Sequence, residues 1–338
     1  MPLIQSFLTN RTQSVQINGT VSNPLPIRTG TPQGSVLGPT LFLIYLNALH
    51  FQNQDKDVKI TSFADDTAII VTESSWTKAV GKLELCLQSC QNYLSAYKLK
   101  LNEQKSKFIT FSSSSRSQPK SLTIRIHKSN CRETTCNFKV LQQAKNVKYL
   151  GLILDQHMKW NLHMEYLTNK LRKLQYGFKI IAGICNKENA LKMYVSLVQS
   201  LLLYGILLWG GSYQSNQIHL ARTQKRILKI ILRKPQSYST QLTLTETNTL
   251  TINQLLTLEI CKYVHKNKSI LNPPDHSYPT RLNTRLSTKT TKCNKTASQN
   301  YFTYKLIKIY NNLPEHIKHI NKFKTYSKSV KEWIRFNV

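Results

Sequence analysis

The stretch Thr61–Ile70, TSFADDTAII, sets two adjacent carboxylates, Asp65 and Asp66, in the middle of an apolar run. A bare buried charge costs on the order of several kcal/mol unless it is paired or bound to a metal. β-Branched flanks around a short polar centre predict a strand, a turn of two or three residues and a second strand. At the tip of such a hairpin both carboxylates can point their oxygens at one hard cation while the strands stay buried. Mg²⁺ takes carboxylates together with substrate phosphates, rather than an all-protein cage. Two such ions about 3.5–4 Å apart clamp the attacking and leaving oxygens of a phosphoryl transfer. The alternative is a turn that uses aspartate only for its local hydrogen bonds.

Acids are scarce in the chain as a whole. The 338 residues carry 47 lysines and arginines against 16 acids, a formal charge of +31. Such an excess predicts a polyanionic partner, nucleic acid first, because each neutralised phosphate releases counterions. With 40% hydrophobic residues the chain can bury a proper core. Seven cysteines, an odd number without metal-type spacing, and a polar N-terminus predict a reducing, intracellular setting with no disulfide partner. Tyr194–Gly211 approaches membrane length but carries Gln199, two serines and Gly205, so it is expected to be a core helix and not a span.

Upstream of the pair, residues 14–27 have the pattern of a hairpin around Asn18-Gly19. A Gly/Pro-punctuated loop follows, and Pro39 opens an apolar helix from a first-turn position. Downstream, Val80, Leu83, Leu87, Cys90 and Leu94 recur at three and four, an amphipathic helix with Cys86 and Cys90 on one face. KSKFITF is a short strand, residues 112–121 form a loop by composition, and VKYLGLILD is a second strand pair. Leu167, Leu171, Leu174, Phe178 and Ile181 mark a long helix, and helical patterns continue to about Lys234. Residues 237–254 and 272–300 have the composition of linkers, and a last helix stops at Pro314. Strands first and helices later is an α+β plan. In His219–Lys234, Arg222, Lys225, Arg226, Lys229 and Arg233 fall on one helix face, opposite Leu220, Ile227 and Ile231. A cationic stripe backed by an apolar seam suits a phosphate track; a solvated face or an anionic membrane surface are the alternatives.

Four motifs in order resemble those of a known family. Gly30–Leu49, GTPQGSVLGPTLFLIYLNAL, resembles the loop and helix with which reverse transcriptases hold the template base and incoming nucleotide. FADD resembles their metal-binding hairpin, Leu99–Phe111 their Leu-Asn-x-x-Lys motif, and Val147–His163 their primer-grip region. Together they resemble the reverse transcriptase of a jockey-like non-LTR retrotransposon, over Met1 to about Gly211, and Phe302–Ile334 is similar to the C-terminal end of those polyproteins.

The resemblance implies a partial right-hand polymerase palm over 1–160, an antiparallel sheet with helices. A helical thumb-like region over 161–235, a polar linker-like region over 236–300 and a helical tail over 301–338 follow. It implies two Mg²⁺ held with the help of Asp65 and Asp66, and an RNA template, a DNA primer and a deoxynucleoside triphosphate as partners. Gly30, Pro32, Gln33 and Gly34 would let backbone approach the nascent base pair, since glycine lacks a Cβ. Gln33 would offer its amide, and Phe63 stands where many relatives carry an aromatic. Lys105 would neutralise the triphosphate or protonate pyrophosphate, and Gly151 would let backbone approach the primer, a strand bulge being its alternative. The family's third carboxylate comes from a strand before the Gln33 loop, yet Asp55 is the first acid here. The expectation is therefore a chain without the fingers and first palm motif, a truncated copy or a partial gene. The competing readings are a non-catalytic nucleic-acid-binding remnant and a scaffold or membrane-surface protein using the same charge.

Overall fold

The computed structural model describes residues 2–53, 55–112, 119, 121–127, 138–270, 299 and 301–337. The chain divides into two compact units, Met1–Thr110 with Ser114–Ala144, and Phe111–Ser113 with Lys145–Val338. It is a mixed fold of helices and small sheets, as an α+β plan requires.

In the first unit, α1 (Pro2–Leu8) leads into a long hairpin. Its outer rungs are β1 (Thr12–Gln13) on β4 (Leu25–Pro26), and its inner rungs β2 (Gln16–Ile17) on β3 (Thr20–Val21). The tip is Asn18-Gly19, both at positive φ (49° and 86°) as a type I′ turn demands. Helix α2 (Leu37–Leu46) has Pro39 in its first turn, where a missing N–H costs nothing. A 3-10 segment, Asn47–Gln52, follows. Strands β5 (Val58–Phe63) and β6 (Asp66–Val71) form the antiparallel hairpin of the acidic pair, with Phe63 opposite Asp66.

Helix α3 (Trp76–Ala96) starts at Ser75, whose side chain accepts from the Lys78 N–H at 3.3 Å. One of its faces buries Cys86, Cys90 and Tyr93 with Leu46, Leu49 and Val58. Another packs Val80, Leu83 and Leu87 against Phe108, Ile124, Ile126 and Leu141. Those last residues sit on or beside β7 (Lys107–Phe108), β8 (Arg125–Ile126), β9 (Lys139–Val140) and β10 (Gln142–Gln143). The single antiparallel sheet implied by the resemblance is not what forms. The described strands pair two by two, and β7 with β10 is parallel. Most of the loop predicted at 112–121 lies outside the described residues.

The second unit opens with β11 (Asn146–Tyr149) and β12 (Leu152–Asp155), an antiparallel pair. The predicted long helix is α4 (Asn161–Ile184), burying Leu167, Leu171 and Phe178. The expected core helix over 194–211 is instead broken. α5 (Lys187–Tyr194) runs into a π-helical turn, Val195–Gln199, then α6 (Ser200–Leu203) and, after Tyr204-Gly205, α7 (Ile206–Trp209). The break lets Trp209 turn fully into the core, its Nε1 donating to the Tyr204 carbonyl at 2.9 Å. Among the described residues no helix is long and apolar enough to cross a membrane.

Helix α8 (Gln214–Ile231) lies parallel to α4. Asn216 Nδ2 reaches the Lys159 carbonyl at one end (3.2 Å), and Arg233 Nε the Ala182 carbonyl at the other (2.9 Å). Residues 237–254, expected as a linker, instead enter two helices, α9 (Thr240–Thr247) and α10 (Ile252–Lys266). Threonine made this stretch look like loop. Its hydroxyls, however, bond carbonyls one turn back (Thr243 to Ser239, Thr247 to Thr243, both 2.7 Å), so burial leaves no polar atom unpaired. Thr251 and Gln254 form a capping box that starts α10.

The second linker-like stretch, 272–300, lies outside the described residues apart from Gln299. Helices α11 (Phe302–Asn312), α12 (Glu315–Lys318) and α13 (Phe323–Asn337) close the chain. They are not a separate tail. Leu306, Tyr310, Ile317, Tyr326, Val330 and Ile334 join the core that α4, α8 and α10 build.

Candidate functional site

The β5–β6 hairpin turns on two residues, Ala64 and Asp65, with Asp66 as the first rung of β6. Ala64 carries φ +52°, a conformation for which glycine is the usual residue. Asp65 and Asp66 are both exposed, which corrects the premise of a buried pair. The reason is local: each strand buries at most one residue, so the tip projects beyond the small cluster that Val58 joins. No hydrogen bond or ion pair engages either carboxylate among the described residues. Phe63, 67% exposed, stands opposite Asp66, and a Ser62–Thr67 hydroxyl pair at 3.0 Å forms the next rung.

Exposed, unpaired carboxylates are the donor chemistry Mg²⁺ uses when water and phosphate oxygens supply its remaining ligands. The described residues contain no group of three or more metal-ligating side chains, so this set fits the ion but does not complete its site. Asp155, another conceivable ligand, is committed elsewhere. It accepts from the backbone N–H groups of His157, Lys159 and Trp160 at 3.1, 3.0 and 2.7 Å and fixes the entry to α4.

The loop before α2 is held from both sides. Arg11 Nη2 donates to the Gly30 carbonyl at 2.6 Å. Ser35 Oγ donates to the Pro32 carbonyl at 2.7 Å and accepts from the Gly38 N–H at 3.1 Å, tying loop to helix. Gly30 and Gly34 lie at φ +81° and +78°, and open space surrounds the place a Cβ would occupy at each. Backbone sign rather than crowding requires glycine there, and the bare backbone stays accessible. Gln33, at the tip, is exposed, and no hydrogen bond links it to Asp65 or Asp66.

Lys105 is exposed on a turn organised by Asn102. The Asn102 side chain accepts from the Lys105 N–H (3.1 Å), and its carbonyl accepts from the Ser106 N–H (3.0 Å) and Oγ (2.8 Å). Lys105 therefore reaches outward from a fixed backbone.

In the second unit, Gly151 is no bulge. Leu150 and Gly151, at φ +45° and +81°, make the two-residue turn of the β11–β12 hairpin, and a Cβ on Gly151 would stand 3.2 Å from the Tyr204 ring. Tyr204 Oη donates to the Leu150 carbonyl, so that flank of the turn is occupied by protein.

Helix α8 presents Arg222 and Arg226 to solvent, with Lys225 and Lys229 half-buried and Leu220, Ile227 and Ile231 buried on the other side. Arg233 does not belong to this stripe. The helix ends at Ile231, and Arg233 stands at φ +54° in a Schellman cap, with Lys234 N–H on the Lys229 carbonyl and Arg233 N–H on that of Ile230 (both 2.9 Å). The helical period fails there because the helix has stopped.

Sequence reasoning passed over Arg11 and Ser35, which hold the Gln33 loop, and over the part Asn102 plays in shaping the Lys105 turn. Ser35 was findable as a Ser-x-x pattern before an apolar helix. Arg11 acts over nineteen positions and left no local signal.

Residues 1–154 match the family described as reverse transcriptase (RNA-dependent DNA polymerase). The chain is 27% identical over 237 residues to an RNA-directed DNA polymerase from mobile element jockey of Drosophila melanogaster, covering 67% of this chain and 24% of that protein. The jockey counterpart from Drosophila funebris is 28% identical over 241 residues, 69% of this chain and 25% of its own. A probable RNA-directed DNA polymerase from transposon BS of Drosophila melanogaster is 26% identical over 245 residues, 69% and 25%. The chain thus spans about a quarter of the length of the curated relatives it matches.

Proposed function

We propose that this chain, a relative of the reverse transcriptases of jockey-like non-LTR retrotransposons, is the C-terminal palm and thumb portion of an RNA-directed DNA polymerase. Its substrates are then an RNA template, a DNA primer and deoxynucleoside triphosphates. The observation that carries the reading is the exposed, unpaired Asp65–Asp66 tip, inside the matched segment and in one unit with the Gln33 loop and the Lys105 turn.

In this reading Asp65 and Asp66 hold Mg²⁺, which supplies charge neutralisation for the attacking and leaving oxygens when bound. The open backbone of Gly30 and Gly34 lies against the nascent base pair, and Gln33 offers its amide to template or nucleotide. Phe63 presents an apolar face beside the acids. Lys105 places a compact positive charge on the triphosphate and carries the proton for departing pyrophosphate. The β11–β12 turn approaches the primer with the side that Tyr204 does not cover, Gly151 making room for the Tyr204 ring. Arg222, Lys225, Arg226 and Lys229 track phosphates from the thumb-like helices.

The acid pair sets the test, with a nucleic-acid-binding chain without catalysis as the alternative. The isolated chain binds Mg²⁺ weakly and gives no measurable primer extension. Adding a relative's N-terminal fragment that bears the missing palm aspartate restores extension, and Asp65→Asn abolishes the rescue. Absence of rescue, with RNA binding intact, leaves the non-catalytic reading. Robust extension by the 338-residue chain alone would show that its own residues complete the site.

A further inference from the structure

The helix that ends the described chain carries a second row of cations. On α13, Lys324, Lys328, Lys331 and Arg335 recur at i, i+4, i+7 and i+11, so they share one face. Unlike the α8 row, this one stays on continuous helix to its last member. Lys324, Lys328 and Arg335 are exposed and Lys331 is half-buried. From the neighbouring antiparallel helix α10, Lys262 adds its charge beside Lys331, although it is itself paired with Glu259 at 2.8 Å. Among the described residues no carboxylate forms an ion pair with the four α13 cations. Glu332 lies next in sequence to Lys331, yet it pairs with none of them.

This arrangement works against the helix. Like charges at i, i+3 and i+4 repel one another; Arg335 is eased by the helix C-terminus and by the Asn248 carbonyl (3.3 Å), whereas Lys324, Lys328 and Lys331 form no ion pair among the described residues. Burial, with Arg335 and Lys262 adding to it, holds the Lys331 ammonium below the ordinary lysine range. A bound polyanion would relieve that crowding.

We propose that the outer face of α13, with Lys262 of α10, is a second nucleic-acid contact, one that grips the phosphodiester backbone by charge without reading bases. The net charge of +31 and a row that no carboxylate neutralises among the described residues point to an anionic partner. A lipid surface fits less well. A helix that lies in a membrane interface needs its apolar face free for the acyl chains. Here Tyr326, Val330 and Ile334 are fully buried, with Tyr326 Oη on the Cys261 carbonyl at 3.2 Å.

The test is salt-dependent binding of the full chain to a short homopolymer RNA and to an RNA–DNA duplex. The variant is Lys324→Gln with Lys328→Gln, both exposed. From about 50 to about 200 mM salt its log K against log salt slope should be shallower by about 1.5, with binding about thirtyfold weaker near 0.1 M. Arginine at the same two positions should keep the wild-type slope. Adding Arg222→Gln and Arg226→Gln on α8 should flatten the slope further, as two separate contacts require. An unchanged slope and affinity in a variant that melts like the wild type would overturn the proposal. So would a loss confined to phosphatidylserine vesicles. The readout is binding, so it stands whatever primer extension gives.

Discussion

The unit that bears the acidic tip and the unit that begins at Lys145 are stabilised in different ways. The first rests on two small clusters on either side of α3, and its strands pair only two by two. It leaves Leu43 and Ile44 of α2 and Ile70 of β6 exposed. The second has one continuous core, in which Leu171, Trp209, Leu220, Ile227, Ile260 and Val330 are fully buried. Buried apolar area is the main favourable term in folding. The expectation is therefore a firm helical second unit and a marginal first unit that presents its polar motifs on turns. Site loops belong to the low-stability end of a protein, where a backbone can open to admit a ligand.

The largest break in this contrast comes from the centre of the second core. Trp209→Ala should cost about 3–5 kcal/mol, whereas Val58→Ala in the first unit should cost about 2 kcal/mol. Chemical denaturation with a probe in each unit checks this. Equal losses, despite the much smaller side chain removed at Val58, would mean the first unit is packed no more loosely than the second.

Acid should also separate the two. His163, buried among Trp160, Tyr166 and Trp209, accepts from the Ile153 N–H at Nδ1 (3.4 Å), and burial lowers its pKa to about 4. Lys170 adds to that shift. The neutral ring is the folded form, so its contribution is complete above the unfolded value near 6.5. It is lost as pH falls through 4, a difference of ~3 kcal/mol. The second unit should lose stability across that window, and His163→Phe should flatten the dependence. A wild-type curve already flat between pH 6.5 and 4 would rule this out.

The smallest effect sharpens the contrast from the other side. Ala64→Gly relieves the φ +52° backbone at the acidic tip and should stabilise the first unit by up to about 1 kcal/mol. The same change leaves the second unit untouched. If melting of the first unit falls instead, the turn is unstrained and the chain entropy of glycine dominates.

How much of this was legible in advance follows from range. The hairpins at Asn18-Gly19 and Ala64-Asp65, the helix after Pro39 and the helices α3, α4 and α8 rest on contacts within a few residues. Hydrophobic period and turn chemistry reported them correctly. The order of the four motifs made the family resemblance legible too, and with it the candidate site.

What failed depended on distant partners. The threonine-rich stretch 237–254 is polar in composition, and its helices form because Thr243 and Thr247 are buried with their hydroxyls bonded one turn back. Arg233 has the right period for the cationic row, but the chain leaves the helix two residues earlier. Asp155 is held by three backbone N–H groups that the turn into α4 brings to it, which no local pattern announces.

The sequence alone therefore determined the charge of the chain, the local elements and the motif set, because charge and periodicity are properties of neighbours along the chain. Only the tertiary structure decided which side chains remain free to act. A carboxylate or ammonium group is available for chemistry when nothing else in the fold has already satisfied it, and that depends on residues brought close by folding.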